Sequence, residues 1–169
     1  MNIRIVVVIG SVRPGNYTSR AVGVVVDELR KEEGIEVDRI DPAGLDLSLH
    51  GGKALQETME GATGVILSTP EYHGSYSGVI KMAIENMGFP SGLAGKPVAL
   101  LGVAAGAIGA VKALEHLRSV CSHVGGIVLP GPVSVAGVQK VFDEDGSCTD
   151  PGVEKRIRGL GRNLLDYIK

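Results

Sequence analysis

The chain has 169 residues, with 17 Lys and Arg against 19 Asp and Glu and a formal net charge of −2. That length sets the expectation of one domain over residues 1–169, with interior enough for a sizeable core. The balanced charge excludes binding to nucleic acid or an anionic membrane by gross electrostatics, and 44% hydrophobic with 21% charged residues excludes disorder over most of the length.

Apolar runs rich in Val and Ile alternate with amphipathic segments, which suits a repeated strand-helix unit. Residues 3–9 form a nearly unbroken β-branched run, the pattern of a strand covered on both faces of a parallel sheet. After a loop at 10–18, Val22, Val25, Val26 and Leu29 recur at helical spacing until Gly34. Residues 35–40 alternate apolar and charged, as in a strand wet on one side, hence an edge strand. A loop with Pro42, Gly44, Gly51 and Gly52 follows, then a weak helix over 53–60.

Residues 65–69 give a third strand, which the sequence ends at Pro70, since proline cannot donate to a central ladder. Residues 70–77 then read as a loop. Ser77 is a good N-cap for a helix presenting Ile80, Ile84 and Met87, ended by Gly88, Phe89 and Pro90. A fourth strand over 97–103 leads through a loop at 104–108 into a helix striped by Val111, Leu114, Leu117 and Val120. The fifth strand is expected over 126–129, extending to 135, and Val153, Ile157, Leu160, Leu164 and Ile168 mark the last helix. Five strands each followed by a helix predict a doubly wound α/β sandwich with helices on both faces. Ligands in such sheets bind beyond the carboxyl ends of the strands, so the loops after strands one, three and four are the place to search.

Twenty-five glycines, about 15% of the chain against roughly 7% in average usage, follow no period and mark turns and close backbone approaches. Cys121 and Cys148 lie in no metal-type spacing, so a disulfide framework is excluded and a reducing, cytoplasmic setting is expected. The opening apolar run is too short for a signal peptide. The uncharged apolar stretch over residues 97–111 is fifteen residues, below the roughly twenty that span a bilayer; no membrane partner is expected.

The loop from Gly10 to Ser19 runs from a buried strand straight into a helix. A helix start offers unpaired N–H donors and partial positive charge, glycines admit close approach, and Arg13 can grip a phosphate with its fork. A Walker loop requires Lys and Ser/Thr after the second glycine, but Asn16 and Tyr17 follow Gly15; a dinucleotide fingerprint fails at Val12. What remains is a mononucleotide phosphate site with no evident metal ligand, weighed against Ser11, Thr18 and Ser19 serving only as helix caps.

In the loop after strand three, Tyr72 and Tyr76 offer apolar walls and the backbone offers hydrogen bonds to a planar heterocycle, weighed against simple packing. The small residues from Gly102 to Gly109 would let a flat ring approach the backbone, weighed equally against simple steric economy between the fourth helix and the sheet. His116 and His123 read as surface residues of the fourth helix, His50 has no identifiable partner, and His73 alone falls in the proposed site. Glu71 and Lys81 could pair within the chain or across a subunit contact.

Gly10-Ser11-x-Arg13 with Asn16 and Thr18, then Pro70-Glu71-Tyr72-His73-Gly74-Ser75 with Gly78 and Lys81, then the Gly-rich turn before the fourth helix, carry a resemblance. The sequence resembles the NADPH-dependent FMN reductase family, a flavodoxin-like group that includes quinone, azo-dye and chromate reductases. The likeness implies a five-stranded parallel sheet of order 2-1-3-4-5, with FMN as cofactor and NADPH as hydride donor. Ser11, Arg13, Asn16 and Thr18, with Tyr17, Ser19 and neighbouring amides, would hold the phosphate. Pro70, Glu71, Tyr72 and His73, with Gly74 and Gly106, would border the isoalloxazine, mainly through backbone. Asn16 stands for Ser, His73 for Asn, Tyr76-Ser77 for Ile-Pro and Met82 for Asn in the family pattern.

The implied reaction is hydride transfer from NADPH to FMN and on to a small acceptor (flavin, quinone, azo compound or metal oxyanion) in ping-pong order, with no catalytic side chain. The alternatives are a flavodoxin-type electron carrier, which the charge of −2 disfavours because such carriers are strongly acidic, and a non-catalytic nucleotide-binding regulator. A homodimer or homotetramer is expected from the family, with Lys81, Glu85 and the third helix at the contact.

Overall fold

The computed structural model describes residues 2–48 and 52–169. In chain order the elements are β1 (Ile3–Val8), α1 (Tyr17–Leu29), β2 (Ile35–Ile40), α2 (Lys53–Glu60), β3 (Gly64–Tyr72), β4 (Ser75–Tyr76) and α3 (Gly78–Glu85). They continue as β5 (Pro97–Val103), α4 (Val111–His123), β6 (Ile127–Val128), β7 (Val133–Val135) and α5 (Pro151–Ile168).

β1 is apolar except at Arg4, which pairs with Asp38 of β2, because both its faces are covered. Ile5, Val7 and Ile9 point into a core shared with Val22, Val25 and Leu29 of α1 and Ile157, Leu160 and Leu164 of α5. Val6 and Val8 point the other way, against Leu55 and Met59 of α2, Ile80 and Ile84 of α3, and Leu117 of α4. β2 pairs only with β1, from Ile3 opposite Ile35 to Val8 opposite Ile40, and is the half-wet edge its alternation predicts. The parallel order is β2-β1-β3-β5-β6, with β7 also paired to β5. This is the flavodoxin-like order expected, with helices on both faces.

Two strands differ from the expectation. The fifth is broken into β6 and β7, both parallel to β5, with Leu101 opposite Val133 and Pro97 opposite Ile127. The break falls at Pro130-Gly131-Pro132, where two residues lack an N–H and Gly131 takes a φ of 76°. The third strand does not stop before Pro70. β1 pairs with β3 only as far as Leu67, so at Pro70 no neighbour on that side needs an amide, and Pro70 stays in register with Val103 of β5. The strand then turns back as a hairpin, with Glu71 opposite Tyr76 and Tyr72 opposite Ser75, where a loop is expected from sequence.

The fourth helix is also rotated from its expected stripe. It buries Ala113, Leu114, Leu117 and Cys121, while Val111 is exposed and Val120 is half-buried. α5 starts as its sequence dictates, with Pro151 in the first turn and the Asp150 side chain accepting from Gly152 and Val153 N–H. Among the described residues no helix is long and apolar enough to cross a membrane.

Candidate functional site

β1 delivers the chain to Gly10, where a Cβ would lie 2.1 Å from the Ser68 carbonyl oxygen. Only glycine lets the loop cross β3 so closely. From there the loop closes on Asn16. Its amide group donates to the Arg13 carbonyl at 2.7 Å, and its Oδ1 accepts from Ser19 N–H at 2.7 Å, capping α1. The cap is therefore Asn16 rather than Ser11, Thr18 or Ser19. Tyr17 and Thr18 occupy the first turn, where amides have no intrahelical acceptor. Gly15, with φ 63°, makes the turn before them.

Buried hydroxyls hold the opposite wall in register. Ser68 Oγ donates to the Val8 carbonyl at 2.7 Å, and Ser77 Oγ donates to the Gly10 carbonyl at 2.6 Å while accepting from Ile80 N–H at the start of α3. Thr69 Oγ1 accepts from Ser77 N–H at 3.0 Å. The hairpin turn between β3 and β4 is His73-Gly74, both with positive φ, 52° and 75°. A two-residue turn of that kind favours Asn-Gly, and His is among the few side chains that tolerate the left-handed region. His73 is thus exposed at a turn tip.

These elements enclose a cleft of about 400 Å³ lined by Arg13, Pro14, Gly15, Asn16, Tyr17, Thr18, Pro70, Glu71, Tyr72, Val103, Ala104, Ala105 and Val138. One end carries the α1 first turn and Arg13, and the other is built from Pro70 to Tyr72, the small residues after β5 and Val138. The Arg13 guanidinium lies 4.5 Å over the Tyr72 ring, bridging the two walls. Volume and mixed lining match a small-molecule site.

Of the residues singled out from sequence, Arg13, Asn16, Tyr17, Thr18, Pro70, Glu71 and Tyr72 meet in this cleft. Ser11 is buried beside it, its Oγ accepting from Arg13 N–H at 3.4 Å. Ser19 faces away, its Oγ accepting from Arg39 at 2.5 Å. Gly74 and Gly106 line a neighbouring cavity of about 330 Å³ that shares Glu71, Ala104 and Ala105 with the cleft.

Within the chain Glu71 and Lys81 are not partners: Lys81 pairs with Glu85 at 2.5 Å, and Glu71 Oε2 accepts from Ala113 N–H at 3.0 Å. His116 is exposed and joined to Ser75, and His50 lies outside the described residues. Burial pushes the Cys121 thiol up to about 12 and also raises that of Cys148, so neither is poised as a thiolate.

Val138 is the lining residue that pattern reading misses. It reaches the cleft through backbone bonds, Val138 N–H to the Ala104 carbonyl at 3.0 Å and Ala104 N–H to that of Val135 at 2.9 Å. Pro14 and Gly15 lie within the Gly10–Ser19 loop, and Val103, Ala104 and Ala105 within the small-residue stretch Gly102–Gly109, and all five line the cleft without a chemical signature of their own. Their signal was position at a strand end rather than side-chain chemistry.

The sequence profile of NADPH-dependent FMN reductases matches residues 3–140. The chain belongs to the NADPH-dependent FMN reductase family. It is an oxidoreductase with FMN and NAD(P)H as its cofactors. Relatives within reach of this FMN reductase include an NAD(P)H-dependent FMN reductase of Pseudomonas aeruginosa, 29% identical over 99% of this chain and 96% of its own length. An FMN-dependent NADPH-azoreductase of Staphylococcus aureus is 30% identical over 96% and 93%. Among solved structures, the flavoenzyme NAD(P)H:(acceptor) oxidoreductase FerB of Paracoccus denitrificans superposes with a TM-score of 0.81 at 27% identity, covering 98% of this chain and 97% of that one.

Proposed function

We propose that this FMN reductase passes reducing equivalents from NAD(P)H to a small conjugated acceptor in ping-pong order, with pyridine nucleotide and acceptor using one cleft in turn. The observation that carries the proposal is the two-ended cleft, which fits FMN. A phosphate monoester suits the α1 first turn and Arg13, where partial positive charge, unpaired amides and a guanidinium converge. A flat ring suits the other end, where Pro70, Glu71 and Tyr72 offer backbone polar groups and Ala104, Ala105 and Val138 leave room above an apolar floor. When bound there, FMN supplies the hydride-accepting and electron-donating chemistry.

The side chains serve placement. Asn16 fixes the phosphate loop, Arg13 neutralises charge, and the Ser68, Thr69 and Ser77 hydroxyls hold the ring wall against β1. Holding two reactants in contact replaces the need for a nucleophile or an acid-base pair. The relatives named as an azoreductase and as a 2-hydroxy-1,4-benzoquinone reductase, the latter from Burkholderia sp and 29% identical, support a planar acceptor such as a quinone, azo compound or flavin, with metal oxyanions a further class. One FMN-binding domain over residues 1–169, working as a homodimer or homotetramer in the cytoplasm, completes the proposal.

The test is spectroscopic. Rapid mixing of the FMN-loaded protein with NADPH, with no acceptor present, is expected to bleach the oxidised flavin band, and a quinone added afterwards to restore it. A band that stays unbleached by NADPH, yet is reduced by a protein electron donor, would replace the enzyme reading with that of an electron carrier.

A further inference from the structure

β1 ends at Val8 and β5 at Val103, opposite Pro70, so residues 71–76 extend beyond the parallel ladders and pair only with one another. A two-stranded overhang of this size has little stability by itself. Its position over the cleft is set by what it rests on, which is the first half of α4. Glu71 Oε2 accepts from Ala113 N–H at 3.0 Å, and Ser75 Oγ lies 2.9 Å from His116 Nδ1. α4 has no side-chain cap at Ala110, and Ala110 N–H is itself taken by Ser134 Oγ at 2.8 Å. A carboxylate at this helix start meets an open amide and the positive end of the helix, a charge-assisted contact. The same residue lines the cleft beside Tyr72.

We infer that Glu71 is a positioning residue: its carboxylate clamps the β3–β4 hairpin to the N-terminus of α4 and so fixes the wall from Pro70 to Tyr72 against which the flavin ring lies. The role rests on the cleft being the flavin site and assigns the side chain a task separate from its backbone. It needs an acceptor oxygen at one place, which glutamine also provides. A cap on α4 that does not touch the hairpin cannot replace it.

The experiment compares Glu71→Ala, Glu71→Gln and Ser134→Ala with the wild-type chain. FMN affinity is read from flavin fluorescence, and amide exchange at Ala113 is read in the FMN-free protein. Glu71→Ala is expected to weaken FMN about tenfold, the scale of one lost hydrogen bond to a charged group, and to speed Ala113 exchange. Glu71→Gln is expected to restore both to within about threefold, and Ser134→Ala to leave FMN affinity within about twofold, since it frees the Ala110 N–H at the start of α4 without releasing the hairpin.

Equal loss in Ser134→Ala and Glu71→Ala would reduce Glu71 to a helix cap and overturn the inference. Glutamine binding FMN as poorly as alanine would also overturn it, because charge rather than the tether would then matter. A wild-type chain that binds no FMN would instead sink the flavin reading of the cleft, taking the positioning role with it.

Discussion

Replacing Arg13 with alanine separates the two ends of the cleft. The guanidinium stands 4.5 Å over the Tyr72 ring and is exposed. Turning it toward a phosphate exchanges a cation-π contact, worth about 0.5–1 kcal/mol at an exposed site, for a charge-assisted hydrogen bond of about 1.5–3 kcal/mol. The net contribution is then about 1–2 kcal/mol, or about a 5- to 30-fold change in Kd. Arg13→Ala is expected to weaken FMN by that factor and to leave riboflavin, which lacks the phosphate, within about twofold. Arg13→Lys falls between, because an ammonium keeps the charge without the fork. Both ligands can be titrated by quenching of flavin fluorescence at fixed ionic strength, and added salt is expected to narrow the FMN difference. Equal losses for FMN and riboflavin would refute the reasoning, since Arg13 would then act on the ring wall through Tyr72 and not on the phosphate.

Two further expectations concern stability. Glu28 on α1 meets Lys31 at 2.8 Å, Arg162 and, at 3.2 Å, Arg158 of α5, and these partners, Lys31 foremost, hold its carboxyl down at about 2. Its folded pKa is depressed, so the stabilisation is complete above the ordinary carboxylate range and is lost as pH falls from about 4.5 toward 2. Urea unfolding at pH 6 and pH 3 is expected to show Glu28→Gln losing less stability over that interval than wild type, by about 1 kcal/mol after allowance for solvent screening; parallel losses would count against the α1–α5 clamp. At the hairpin tip, His73→Asn is expected to melt within about 2 °C of wild type and His73→Val roughly 3–6 °C lower, because a β-branched residue costs about 1–2 kcal/mol at positive φ; equal melting of the two variants would contradict the left-handed turn.

The sheet was legible because burial leaves a period. β1 reads as nearly unbroken, Arg4 excepted, because α1 and α5 cover one face and α2, α3 and α4 the other, and β2 alternates because only one face is covered. Where the period was a poor guide, a local rule met a tertiary exception. Pro70 lacks an amide, but β1 has already ended beside it, so nothing asks for one. α4 has apolar residues on more than one side, and sequence cannot tell that Val111 faces out while Ala113 and Cys121 face in.

The site divides in the same way. Residues whose chemistry announces them, Arg13, Asn16 and Thr18 at a strand-to-helix turn and Pro70 to Tyr72 at the next strand end, do meet in the cleft. Hydroxyls carry a weaker signal, because a serine that would grip a ligand and one that braces the backbone look identical in sequence. Ser19 turns to Arg39, while Ser77, legible only as a helix cap, also donates to the Gly10 carbonyl and so joins the two loops. Glu71 is the sharpest case. Its place in the motif suggests ligand contact, yet its carboxylate is spent on an amide 42 residues along the chain. A side chain that acts by holding another segment leaves no pattern in its own neighbourhood, so the cleft's chemistry could be read from the letters but the clamp that shapes it could not.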